Sequence, residues 1–505
     1  MKKIIIFVFY ASLFISAQEY SVSTPGHMRG KEIITECLDK LEMKESDITV
    51  PYQVLEKNFL SNDITAGFLR EPLFYLNAIE NAMRDTNNPA DIKRVLGLIG
   101  ITETNTAGFL KSAHSAIQSN MTLYNTFTQK YSNEIFFKIA DGGFDDSLIP
   151  DLSTFSKYKR LTGYLKYEES FRLKEELFKE LDALYKRFQI PAFFISSLDC
   201  KMHEITALFP GIAFIEGSTG NDIHTVTNSS FILHDPGGDD IYRIRSLREP
   251  GHIAIIIDDS GNDMYIGDNH SIGFSYFGIS FIHDKKGDDV YKGGVYSIAS
   301  TIGGISVLID REGHDLYQGK EKSEAFSFLG YALLHDKSGN DKYLLLSDGQ
   351  ALSGIGGTAL LLDEKGNDLY YAKGGASDNL RYKNRTLSFA QGASIGYRPF
   401  AWGGIALLAD LNGNDKYEAD NFAQGVSYWC AVGGLIDAGG NDTYQAQQYA
   451  QASGIHLGVG FLMDSIGNDR YSSYSVSLGC GHDLSVAYLL DAEGNDRTEV
   501  YDLGI

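Results

Sequence analysis

Eleven times between Gly217 and Thr498 the chain repeats the phrase Asp-x-x-Gly-Asn-Asp-x-Tyr or a near variant. Clear copies run from Asp258 through Gly261, Asn262 and Asp263 to Tyr265, and from Asp437 through Gly440, Asn441 and Asp442 to Tyr444. The glycines at Gly261, Gly287, Gly313 and Gly339 recur every 26 residues, and later intervals settle at 27. A period in the twenties means that each unit is one supersecondary element, able to bury its apolar face only against its neighbours. The repeat therefore predicts an elongated array rather than a single globular core.

Aligned on the opening Asp, the copies show columns. Two residues before it stands Ile or Leu, as at Ile256, Ile282, Leu308, Leu334, Leu361, Leu408, Leu435, Leu462 and Leu489. Four before it stands a small residue, as at Ala254, Ser280, Ala332, Gly433 and Gly460. Period-two spacing puts both columns on one face of a strand. Six before it, Gly278, Gly304, Gly330, Gly357, Gly404 and Gly458 mark a bend. Thirteen before it, Ser271, Ser297, Ser323, Gln350, Gln424 and Gln451 form a polar column. Each unit thus reads as a bend, a strand of about six residues, the Asp-x-x-Gly turn, a short Tyr-bearing strand, a polar bend and a short strand. The end copies are degraded, His224 and Thr498 replacing the Tyr, as in capping units.

Two folds fit. In a parallel β-solenoid each unit is one coil, and every residue stacks on its own copy. In an antiparallel hairpin meander, Asp-x-x-Gly is a type I turn between neighbouring strands. The solenoid is preferred because it explains why each column keeps its residue type. Residues from about 27 to 205 instead carry helical stripes, such as Phe171, Leu177, Phe178, Leu181, Leu184 and Phe188. A second periodic run, from Phe109 to Ile139, ends at Asp141-Gly142-Gly143, and Asn88-Pro89 reads as a helix start. The expected organisation is α+β and multidomain. A signal peptide spans 1–17, a helical domain 18–205, and a β-repeat domain of about eleven units of about 26 residues 206–505.

Lys2 and Lys3, the apolar run Ile4 to Ile15 and the exit Ser16-Ala17-Gln18 read as a secretory signal cut after Ala17. Export to the periplasm, the outer surface or the medium follows, with no transmembrane helix after cleavage. The net charge of -22 argues against nucleic acid as a partner. Of the four cysteines, Cys37 and Cys200 could pair, whereas Cys430 and Cys480 fall at different places in their repeats.

The acidity is concentrated in the motif: Asp235, Asp240, Asp258, Asp263, Asp284, Asp289, Asp310, Asp315, Asp336, Asp341, Asp363, Asp368, Asp410, Asp415, Asp437, Asp442, Asp464 and Asp469. Stacked at strand spacing these carboxylates repel, and hard oxygen donors suit Ca²⁺. The Gly-Asn-Asp-x-Tyr turns resemble the calcium-binding turns of RTX proteins. That resemblance implies calcium at these aspartates, but it covers the turns alone, because the tandem nine-residue period is absent. The other reading is that each opening Asp accepts hydrogen bonds from backbone N–H groups two and three residues on. The Tyr column, Tyr242 to Tyr471, reads as core or stacked surface.

His234, His283 and His335, each directly before an opening Asp, lie too far apart along the array to converge on a metal. His203-Glu204 lacks the second His of a zinc-protease helix, and no nucleophile elbow or phosphate loop is present. These features point to an exported envelope or extracellular scaffold that binds a protein or polysaccharide and is stabilised by calcium. The alternative is a polysaccharide lyase or hydrolase on a β-helix. Such an enzyme would place Asp, Arg, Lys or His off the repeat pattern, most readily at the long insertion near Arg381 to Arg398.

Overall fold

The computed structural model describes residues 3–5, 63–84, 92–141, 163–197, 201–378, 384–398 and 400–501. Among the described residues, seven helices in the N-terminal region are followed by a parallel β-solenoid of about 10 turns. The antiparallel meander is overturned: successive copies pair parallel and in register, with Tyr291 opposite Tyr317 and Leu308 opposite Leu334. Like residues sit on like residues because the chain returns to the same place after each coil. Eleven sequence motifs give only about ten turns, the degraded end copies making less of a coil.

Each coil contributes a six-residue strand, such as Ile305–Asp310, to a long sheet. The Asp-x-x-Gly-Asn-Asp turn then leads into a short strand carrying the Tyr, such as Leu316–Gln318, in an 11-stranded sheet. A corner follows, and a third short strand, such as Phe326–Phe328, lies in an 8-stranded sheet. Four middle coils add a further short strand at the corner. The Leu column and the Tyr rings meet in one apolar cluster inside the solenoid.

The polar column divides in two. Between the third strand and the long strand, the 27-residue interval from Gly339 to Gly366 holds one residue more than its predecessor, since Ser327 pairs with Ser353 but Tyr331 with Thr358. Alignment on Asp therefore slips by one across the corner. Ser271, Ser297 and Ser323 form one ladder. Gln350 stacks instead on the buried Glu324, and above it follow Gln391 and Gln424, amide to carbonyl. Gln350 and Gln424 hold left-handed φ of 50° and 64°. Their amides also donate to the carbonyls of Tyr343 and Tyr417 at 2.9 and 3.0 Å, which offsets the backbone strain.

The long strands are buried on both faces. Leu308 points inward, whereas Ile305, Val307 and Ile309 belong to a second cluster shared with the helices. That outer face is covered by the helix Thr106–Thr128, whose Asn105 cap accepts from Gly108 N–H at 2.7 Å. Phe109 of this helix lies against Phe281, and Phe68 of the helix Asp63–Arg70 is stacked on Phe461. A short parallel pair, Ile101–Asn105 with Ala192–Ser197, completes the cover, Tyr331 donating its hydroxyl to the Phe193 carbonyl. The periodic run beyond Phe109 is two helices, not one. It breaks after Thr128, where Ser132 accepts from Glu134 N–H, and resumes at Ile135–Ala140.

The helix Gly163–Tyr185 matches its stripe, with Leu177, Phe178, Leu181 and Leu184 buried. Phe178 packs on Tyr397 and Phe400, so this part of the long insertion is docked rather than free. Asn88, Pro89, Cys37, Cys200 and Arg381 lie outside the described residues. So does most of the expected signal peptide, although Lys3–Ile5 pairs antiparallel with the last long strand, Val486–Asp491. No helix among the described residues is long and apolar enough to cross a membrane.

A glycine is required at the turn by coil-to-coil approach. A Cβ on Gly313 would lie 1.6 Å from the carbonyl oxygen of Gly287, whereas one on Gly439 would meet nothing closer than 3.8 Å. Gly313→Ala should therefore cost roughly 3 kcal/mol or more, and Gly439→Ala under about 1 kcal/mol. Urea unfolding midpoints of the two variants check this.

Candidate functional site

The turns bring the two Asp columns together inside the solenoid. Opening Asp and Leu share strand parity, so the Asp side chain points inward. Closing Asp stands two residues before the inward Tyr and does the same. All eighteen aspartates named above are buried, none more than 2% exposed. They form a continuous carboxylate row along the solenoid axis. Groups such as Asp258, Asp263 and Asp284, or Asp284, Asp289 and Asp310, place one ligand oxygen each within 4.8 Å of the others.

Each carboxylate has a defined set of partners. In six of the nine copies the opening Asp accepts on Oδ1 from the backbone N–H two residues on, as at Asp336 from Ser338 and Asp437 from Gly439, both 3.0 Å, whereas Oδ1 of Asp258, Asp310 and Asp464 has no partner. Its Oδ2 accepts from the Tyr hydroxyl of the preceding coil: Tyr265 to Asp284, Tyr291 to Asp310 and Tyr317 to Asp336, each 2.7 Å. The closing Asp uses Oδ1 for the backbone N–H of the preceding closing Asp, as from Asp315 to Asp341 and from Asp368 to Asp415, both 2.6 Å. Its Oδ2 has no partner. Nine consecutive copies share this orphan: Asp240, Asp263, Asp289, Asp315, Asp341, Asp368, Asp415, Asp442 and Asp469. The backbone-bonded turn thus accounts for most of the opening aspartates, and leaves half of each of these nine closing carboxylates unsatisfied.

Buried charge without compensation is costly, and the acidities reflect it. Burial, reinforced by neighbouring aspartates, pushes the closing carboxyls up to about 9 at Asp263, about 8 at Asp289 and Asp315 and about 10 at Asp341. Burial first, with nearby Asp charge, raises the opening Asp284, Asp310, Asp363 and Asp410 well above the usual range. At neutral pH the row holds protons or requires cations.

The Tyr column is core. Nine rings from Tyr242 to Tyr471 stack with centroids 4.5 to 4.9 Å apart and planes within 8° of each other. Outside the turn runs an Asn ladder. Asn414 donates its N–H and Nδ2 to Asn367 Oδ1 at 3.0 and 2.9 Å, and Asn441 repeats this on Asn414. Where the column departs from Asn, the acceptor persists: Asp288 Oδ1 takes His314 N–H, and His314 Nδ1 takes Asn340 N–H. Beside the ladder lies an open trough of about 870 Å³, lined by Lys365, Asn367, Asn414 and Ile466 among others.

The histidines before the opening Asp stay apart. His234 lies between Glu216 and Asp259, and His335 reaches Glu364 at 2.8 Å. Off the repeat pattern, a gathering missed by column reasoning places Arg398, His456, His482 and Asp483 together, and three of them offer ligand atoms to one point. Each residue is alone in its column, so periodicity could not reveal it. Cys430 and Cys480 are free thiols.

Asp368→Ala removes the acceptor for Asp341 N–H (2.6 Å) and should cost about 1–3 kcal/mol. Asp368→Asn keeps that acceptor and removes a buried charge, so in chelator at pH 8 its urea midpoint should equal or exceed that of the parent. No known family model, curated protein or solved structure matches the chain.

Proposed function

We propose that the chain is an exported, rod-shaped scaffold of the cell envelope or the extracellular space, whose carboxylate row is charge-balanced by divalent cations. The observation that carries the cation is the run of nine buried, partnerless Oδ2 atoms, each aimed into the row. Two aspartates per coil are neutralised by one divalent ion per coil. The donors are hard carboxylate oxygens, two aspartates per coil, held by the strands on either side of the turn. Calcium tolerates such a set, whereas magnesium demands a near-ideal octahedron. Export is supported by Lys2 and Lys3 and the apolar run that follows them. A scaffold role is supported by the repetition of the surface: from Asn340 to Asn495 the Asn ladder offers a protein or polysaccharide the same contact at each rise.

A second occupancy of the row has its own support. The upward-shifted pKa values of the closing aspartates favour one proton per carboxylate pair in the absence of metal. The two states have opposite pH dependence. A carboxyl raised in the folded state contributes its full stability below the unfolded value of about 3.9, and loses it as pH climbs through the folded value. In chelator, stability should therefore fall from about pH 4 to about pH 9. Millimolar calcium should raise Tm at pH 8, where it meets ionised carboxylates, and much less at pH 5, where it competes with protons. Coincident melts with calcium and chelator at pH 8 would retire the cation and leave the protonated row.

A further inference from the structure

The geometry points to a second, chemically distinct metal site on the opposite corner of the coil, formed by His456, His482 and Asp483 and suited to a first-row transition ion of the zinc class. His456 directly follows one third-strand segment, Ser453–Ile455, and His482 ends the next, Cys480–His482, with Ile455 opposite His482 in parallel register. His456 N–H donates to the His482 carbonyl at 2.9 Å, so the two coils are locked together at this point. His456 and Asp483 both hold left-handed φ, 50° and 56°, and their side chains leave the corner on the same side.

Three ligand atoms converge. His456 Nδ1 lies 2.7 Å from Asp483 Oδ2, and His482 Nδ1 lies 3.5 Å from the same oxygen. A tetrahedral ion with bonds of about 2.0–2.1 Å holds its ligand atoms about 3.4 Å apart; the His482–Asp483 pair already has that spacing, and His456 Nδ1 and Asp483 Oδ2 would have to part slightly. His482 Nδ1 is buried and has no hydrogen-bond partner, which a metal would supply. The rings are fixed from behind: Tyr428 stands edge-on to His456 at 5.1 Å, and Tyr449 edge-on to His482 at 5.9 Å. The cluster lies at the surface, the His482 and Asp483 side chains being 42% and 54% exposed, with Nδ1 on the inner side of the His482 ring.

Two imidazoles and one carboxylate differ in kind from the all-carboxylate row. Imidazole nitrogen favours zinc, copper, nickel or iron over calcium, so the two sites sort ions by softness. One neighbour opposes binding. Arg398 stacks over Trp429 at 5.4 Å and brings Nη1 to 3.3 Å from His456 Nε2. Ligation through Nδ1 puts the proton on Nε2, which then cannot accept from Arg398, so the guanidinium must withdraw along the indole.

The test is zinc titration of the full chain by calorimetry, in millimolar calcium to saturate oxygen sites, with metal content measured after dialysis. The parent should bind one tightly held equivalent, and Co²⁺ in its place should give visible d–d absorption of low symmetry. His482→Ala should weaken binding at least about tenfold, because even distant supporting groups cost that much. Asp483→Asn, at an exposed position that leaves folding intact, should do the same. Arg398→Gln should tighten binding several-fold by removing the competing cation, an effect that a structural role for these residues would not produce. Equal zinc affinity and stoichiometry in the parent and in Asp483→Asn would overturn the site, as would a parent that binds no zinc.

Discussion

The structure depends on one geometric constraint: each coil must offer its neighbour, one strand spacing away, the groups that neighbour needs, most often from the equivalent position. The Tyr rings obey it at about 4.8 Å. The Asn column obeys it through an acceptor aimed at the next backbone N–H, which is why Asp288 and His314 can stand in for Asn. The closing aspartates obey it through Oδ1. Electrostatics is where the constraint costs most. Hydrogen bonds repeat favourably when translated along an axis, but carboxylates so translated repel, and the fold places them where water cannot screen them.

That tension explains the asymmetry between the two aspartates of the motif. The opening Asp is nearly satisfied within the protein, by a turn N–H and a Tyr hydroxyl. The closing Asp is satisfied on one oxygen alone. A motif selected only to close a turn could carry Asn or Ser at that second place. A carboxylate repeated through nine coils makes this a buried, ionisable row.

Much of this was legible in the sequence because translation symmetry writes itself as columns. The inward Leu, the small residue beside it, the Tyr and both Asp positions could be read from spacing alone. Three things could not. Ile305, Val307 and Ile309 alternate with the inward residues, and nothing in the repeat says that helices cover them. The polar corner was misaligned by one residue, since a single insertion between Ser353 and Thr358 shifts everything counted back from the Asp. The gathering at His456 and His482 stayed hidden because its members come from different coils and break the pattern singly.

The helical cover has a consequence for how such a chain can change length. Within the bare array, a coil could be duplicated or lost without altering any lateral partner, since each copy offers its neighbours the same faces. The cover removes that freedom. Phe109 seats on Phe281, Phe178 on Phe400 and Phe68 on Phe461, while Tyr488 reaches Glu80. These contacts are marks on a ruler. Adding one coil between Phe281 and Phe461 would displace the later marks by one rise, about 4.8 Å, and lift the helices off their seats. The N-terminal region thereby counts the coils, and holds an otherwise extensible polymer to one length.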